Sequence, residues 1–132
     1  MDDLHRRTLD AIPDAVLVAD REGAIRYWNA GAARVFGIAA NDALGRSLDL
    51  IIPERQRARH WDGWRKVIAT GVTQYGERLL SVPALRADGK RISVEFSVAL
   101  IFDARGGVEG VAAVLRDVTE RWERERAAAR AS

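Results

Sequence analysis

Two histidines stand in the chain, and one of them, His60, has neighbours that invite chemistry. It follows Pro53-Glu54, Arg57 and Arg59, and it precedes Trp61 and Trp64, all within a few helical turns. An imidazole in that setting is a candidate general base, metal ligand or pocket-lining hydrogen-bonding group. Catalysis would also need a nucleophile beside a base, or paired acids in a cleft. Ser47, Ser81, Ser93 and Ser97 fall in no nucleophile motif, and no glycine-rich loop suited to phosphate occurs. His5 lies in a terminal helix, and there is no cysteine to serve as a thiol nucleophile, thiolate ligand or disulfide partner. The expectation is a chain without catalytic activity of its own.

Arg55, Arg57, Arg59, Arg65 and Lys66 share one helical stretch, but acids and tryptophans interleave them. With 21 basic against 19 acidic residues and a net charge of +2, the balance does not argue for nucleic acid. The basic side chains read as a solvated helix face. No apolar run approaches bilayer-spanning length, and Met1-Asp2-Asp3-Leu4-His5 lacks a signal-peptide core, so the expectation is a cytoplasmic segment with no membrane contact.

The elements that must position His60 follow from pattern. Residues 2–12 read as a helix ended by Pro13. Ala15 to Ala19 and Ala24 to Trp28 read as strands joined by the turn Asp20-Arg21-Glu22-Gly23. Asn29 is placed to cap a helix from Ala30 to Phe36, stopped by Gly37, and Asn41 or Asp42 to cap a short turn leading to Gly45. After an apolar patch from Leu48 to Ile52, Glu54 to Thr70 forms the longest central helix, with Gly71 past its end. Thr73 to Val82 has strand composition. Ile92, Val94, Phe96, Val98 and Leu100 alternate with more polar residues, the period of a strand. Val108 to Leu115 is a last strand, apolar enough for both faces to be covered. Asp117-Val118-Thr119-Glu120 has the pattern of a capping box with Asp in place of Ser or Thr, opening a C-terminal helix. Five antiparallel strands with helices on one face make an α+β fold, with a terminal helix over 1–12, a core over 13–117 and a C-terminal helix over 118–132.

These segments, in this order, resemble the PAS family from about Ile12 to about Trp122. The matching stretches are Ile12-Pro13-Asp14-Ala15, the Asp20–Gly23 turn, Trp28-Asn29 with Ala32-Ala33 and Phe36-Gly37, and Leu44-Gly45-Arg46. Ala87-Asp88-Gly89-Lys90 and Arg116-Asp117-Val118-Thr119-Glu120 complete the set. The resemblance implies a sensory domain that binds a haem, a flavin, a small metabolite or nothing. Such a domain relays a conformational change to an output domain in cis, here a histidine kinase or a transcriptional regulator. It also implies that Asp117 and Thr119 form the junction between the last strand and a signalling helix.

Around His60 the sequence resembles bacterial haem PAS oxygen sensors, in which a histidine at this position ligates the iron, so haem is one candidate cofactor and His60 its metal ligand. Arg65 or Lys66 would then pair with propionates. The arginine that contacts bound gas in those sensors falls, by ungapped counting, on Leu80, with Arg78 two residues earlier. Flavin adduct chemistry of the light-sensing type needs a cysteine near Leu48, which is absent. Strand parity brings His60, Trp64 and Leu80 against Ile92, Val94, Phe96 and Val98, with Val67 and Arg78 beside them as ligand-binding candidates. The same residues also suit an ordinary core, a small organic acid or an aromatic metabolite. Leu4, Leu9 and Ile12 at one end, and Val118 and Trp122 at the other, are stripes that a monomer would cover poorly, so a homodimer is expected.

Overall fold

A computed structural model describes residues 3–73 and 80–131. Of the strand expected over Thr73 to Val82, Thr73 is not in a strand, and residues 74–79, Arg78 among them, lie outside the described residues. The elements run α1 (Asp3–Ala11), β1 (Ala15–Asp20), β2 (Ile25–Trp28), α2 (Ala30–Phe36), α3 (Ala40–Ala43), a 3-10 turn (Leu48–Ile51) and α4 (Glu54–Thr70). They continue with β3 (Leu80–Leu85), β4 (Arg91–Phe102), β5 (Val108–Asp117) and α5 (Thr119–Ala131). The strands form one antiparallel sheet in the order β2-β1-β5-β4-β3, so the α+β expectation holds.

Hairpin chemistry explains the local connections. The Asp20 carboxylate accepts from the amides of Glu22 and Ala24, which closes the β1–β2 turn over Gly23. Between β1 and β5 the chain crosses from one half of the fold to the other, and β5 pairs with both β1 and β4 at the sheet centre. Gly37 and Gly71 end α2 and α4 in the left-handed conformation. β2 is an edge strand whose free side is covered by backbone bonds from Ile25 to Gly45 and Arg46. Pro83 sits in β3, the other edge, where its missing N–H costs no ladder bond.

Asn29 organises the first half. The residue is 1% exposed; Oδ1 accepts from the amides of Val16 and Ala32, and Nδ2 donates to the carbonyls of Leu9 and Asp14. One amide thus caps α2 and pins it to α1 and β1. The core gathers Leu17, Ile25, Trp28, Phe36, Ile51, Ile92, Val94 and Leu115 between the sheet and the helices.

Four sequence expectations need correction. α3 begins after Ala39, with neither Asn41 nor Asp42 at its cap; both lie inside the helix, where Ala43 turns inward. β3 reaches Leu85 rather than stopping at Val82, because Ser81 to Leu85 keep pairing with β4. β5 is not covered on both faces: its outward side chain Val114 is 41% exposed, since the helices over the cavity leave the opposite face of the strand bare. Asp117 is not the cap of α5 but precedes it; Val118 supplies the first helical carbonyl, to Trp122, while the Asp117 carboxylate accepts from the amide of Thr119.

Candidate functional site

Inward positions of the sheet and the underside of α4 enclose a cavity of about 130 Å³. Leu17 and Ala19 from β1, Val94, Phe96 and Val98 from β4, and Val111, Ala113 and Leu115 from β5 form its floor. Leu48, Ile51, Ile52, His60 and Trp64 form its roof, and Val82, Pro83 and Ala84 of β3 close one side. The alternation in β4 is what places Val94, Phe96 and Val98 together: successive side chains point to opposite faces, so every second one meets the cavity.

His60 and Trp64 are one helical turn apart on α4 and both line the cavity. The indole N–H of Trp64 donates to the carbonyl of Arg21 at 2.8 Å, and that of Trp61 donates to the Asp49 carboxylate at 2.8 Å. The pair therefore ties α4 to the β1–β2 turn and to the 3-10 turn. The Trp61 ring lies over Gly23, where a Cβ would come within 2.3 Å of it. His60 packs against both indoles, with ring centroids at 4.5 Å and 5.7 Å, and the indoles meet each other at 5.6 Å. Burial holds its pKa below the ordinary histidine value, against the opposing pull of the Asp49 charge. Its Nδ1 is buried and has no hydrogen-bond partner. His60 is thus a neutral imidazole with hydrogen-bonding capacity unused.

Of the other candidates, Val67 and Leu80 are half-buried and Ile92 is buried in the core, and none of the three lines the cavity. Leu80 pairs with Phe96 beyond its edge. Sequence parity did not reach the β1 and β5 floor or the 3-10 roof, because it was read from β4 alone; the apolar residues of β1, Leu17 and Ala19, carried the same period. Asp49 and Arg21 escaped it altogether, since their roles arise from contacts across the fold.

A haem fits these residues poorly. A cavity of about 150 Å³ takes up one benzene ring, and a porphyrin is several rings larger than the 130 Å³ present. Arg65, offered for a propionate, pairs with Asp62 on the exposed face of α4.

The cavity wall runs directly into the last helix. Ser93, beside the lining residue Val94, donates its amide to Thr119 Oγ1 at 2.9 Å and accepts from the amide of Val118 at 2.8 Å. Arg121 then pairs with Glu95 of the same strand at 2.7 Å. Of the residues expected at a dimer contact, Leu4 is 58% and Trp122 41% exposed, while Leu9 and Ile12 are half-buried. Val118 is 7% exposed, so the chain itself covers it, and it does not belong to an open stripe. Among the described residues no helix is long and apolar enough to cross a membrane.

Comparison with known proteins agrees with this architecture. The family model described as the PAS fold matches residues 9–123. An uncharacterized protein of Azorhizobium caulinodans is 37% identical over 124 residues, covering 93% of this chain and 17% of that protein. Sensor protein FixL of Bradyrhizobium diazoefficiens is 38% identical over 55 residues, covering 42% of this chain and 11% of FixL. The chain thus spans less than a fifth of either curated relative. The crystal structure of a PAS domain from Colwellia psychrerythraea superposes with a TM-score of 0.76 at 21% identity, covering 90% of this chain and 99% of that one. The five-stranded sheet, the roofed cavity and the family match over most of the length lead to one assignment: this chain belongs to the PAS family of sensory domains.

Proposed function

We propose that the domain senses a small molecule in the cavity beneath α4 and passes the change to α5 and an output domain in cis, a histidine kinase or a transcriptional regulator. One observation carries this reading. Val94 faces the cavity, while its neighbour Ser93 holds the first turn of α5 through two hydrogen bonds. Any shift of β4 that accommodates a ligand therefore displaces the start of the helix, the strand-to-helix coupling that a relay requires. The side chains are suited to binding rather than turnover: among the described lining residues His60 carries the unpartnered polar atom, and its ring neighbours are indoles.

A fragment set screened by ligand-observed NMR, with amide exchange at Val118 and Thr119 as the readout, tests it. Binders should be lost in Val98→Phe, which fills the cavity, and should alter exchange at the junction. A screen without binders, or binders that leave the junction unchanged, would refute the relay.

Dimerisation is a second role, favoured by exposed apolar groups on both terminal helices and on the outer sheet face. Leu4 of α1, Trp122 of α5, and Ile101 and Val114 on the uncovered sheet face are all more than a third exposed. Sedimentation equilibrium should show a homodimer that dissociates in the double variant Leu4→Glu, Trp122→Glu. A monomeric parent chain would count against this role.

A further inference from the structure

Resting on the sensing reading above, we propose that the cavity selects an uncharged molecule about the size of one six-membered ring, carrying one hydrogen-bonding group that meets His60: an aromatic or cyclic alcohol. Three features of the site converge on this class. The volume, about 130 Å³, sets the size, since one benzene occupies a cavity only slightly larger. The wall sets the polarity: among the described lining residues there is no lysine, arginine, aspartate or glutamate. A carboxylate or ammonium placed there would lose its hydration without gaining a counter-charge, which a binding site does not overcome. Behind the roof, Arg57 is engaged by the Ile52 and Asp49 carbonyls and lies 3.9 Å from the Asp49 carboxylate, so it is not free to serve as a counter-charge for an anion.

The third feature is the number of polar contacts on offer. The two indole N–H groups near the cavity are already spent, on Arg21 and Asp49. What is left is the imidazole of His60, whose Nδ1 is buried and without a partner. A neutral imidazole presents one acceptor and one donor, so a hydroxyl satisfies it from either side. Its ring is fixed by contacts with Trp61 and Trp64, so the hydrogen bond is preorganised. The unpartnered Tyr27 hydroxyl and Gln56 carbonyl lie elsewhere, on β2 and beside a separate cleft at the start of α4.

The test uses phenol, benzene and benzoate as probes of the purified chain, titrated by ligand-observed NMR and by tryptophan fluorescence, for which Trp64 in the cavity wall is the reporter. Phenol should bind roughly three- to tenfold tighter than benzene, the worth of one hydrogen bond, and benzoate at least tenfold weaker than phenol. His60→Phe should bring phenol down to the level of benzene, His60→Gln should keep the preference, and Val98→Phe should abolish binding of all three. If His60→Phe does not fold, the phenol-to-benzoate ratio of the native chain still decides. Benzoate binding as well as phenol, a preference that survives His60→Phe, or stoichiometric haem uptake with a Soret band would each overturn the ligand class while leaving a sensing cavity in place. Saturating concentrations of all three probes without any response would overturn the class and the cavity reading together.

Discussion

Replacing Gly23 by alanine should cost about 3 kcal/mol, and roughly half of that cost should vanish when Trp61 is also removed. Gly23 has φ +81°, a conformation that costs an L-residue about 1–2 kcal/mol. An added Cβ would lie 2.3 Å and 2.4 Å from the Trp61 atoms Cη2 and Cζ3, far inside contact distance, so the indole must move. Moving it breaks the 2.8 Å bond to the Asp49 carboxylate. Hydrogen bonds to charged groups are worth about 1.5–3 kcal/mol, and the lower end applies because the Asp49 side chain is 42% exposed. The two effects sum to about 3 kcal/mol. In a Trp61→Ala background only the backbone cost remains. Urea unfolding of the native chain, both single variants and the double variant gives the coupling directly, provided the slope with denaturant stays constant. An equal cost of Gly23→Ala in both backgrounds, within about 0.5 kcal/mol, would refute the claim that Trp61 clamps α4 onto the hairpin turn.

Three further outcomes follow from the same structure. Asn29→Ala should destabilise by about 3 kcal/mol, because it removes the α2 cap and strands the buried amide of Val16, and thermal unfolding would show it. Thr119→Val should cost about 1 kcal/mol and speed exchange of the Ser93 amide, whereas Thr119→Ser should leave both near native values. His60 adds a pH dependence. Burial depresses its folded pKa below the ordinary 6.5, so the unfolded chain binds a proton that the folded chain resists. Stability should therefore fall as pH drops below about 6.5 and level off once the folded value is passed; an unchanged slope in His60→Gln would exclude His60 as its source.

Much of the fold was legible along the chain. The turn at Asp20–Gly23, the cap at Asn29 and the glycines ending α2 and α4 are local signals, because each depends on conformational preferences within a few residues. The alternation in β4 likewise placed Val94, Phe96 and Val98 on the cavity floor, though Ile92 at its start packs in the core instead. Strand limits were harder to read. Pro83 is a poor strand residue by composition, yet an edge position tolerates it, and edge position is a property of the whole sheet.

Chain order alone thus determined that a five-stranded, helix-covered domain would form with His60 on its central helix, since periodicity and turn chemistry are written residue by residue. Tertiary structure decided the rest: the size of the cavity, the indole bonds from Trp61 and Trp64 that latch α4, the bare outer face at Val114, and the burial of Val118. Each of these depends on how far apart two surfaces settle and on partners distant in sequence, Trp64 meeting Arg21 and Thr119 meeting Ser93. Volume and hydrogen-bond saturation belong to packed surfaces, and no local pattern encodes them.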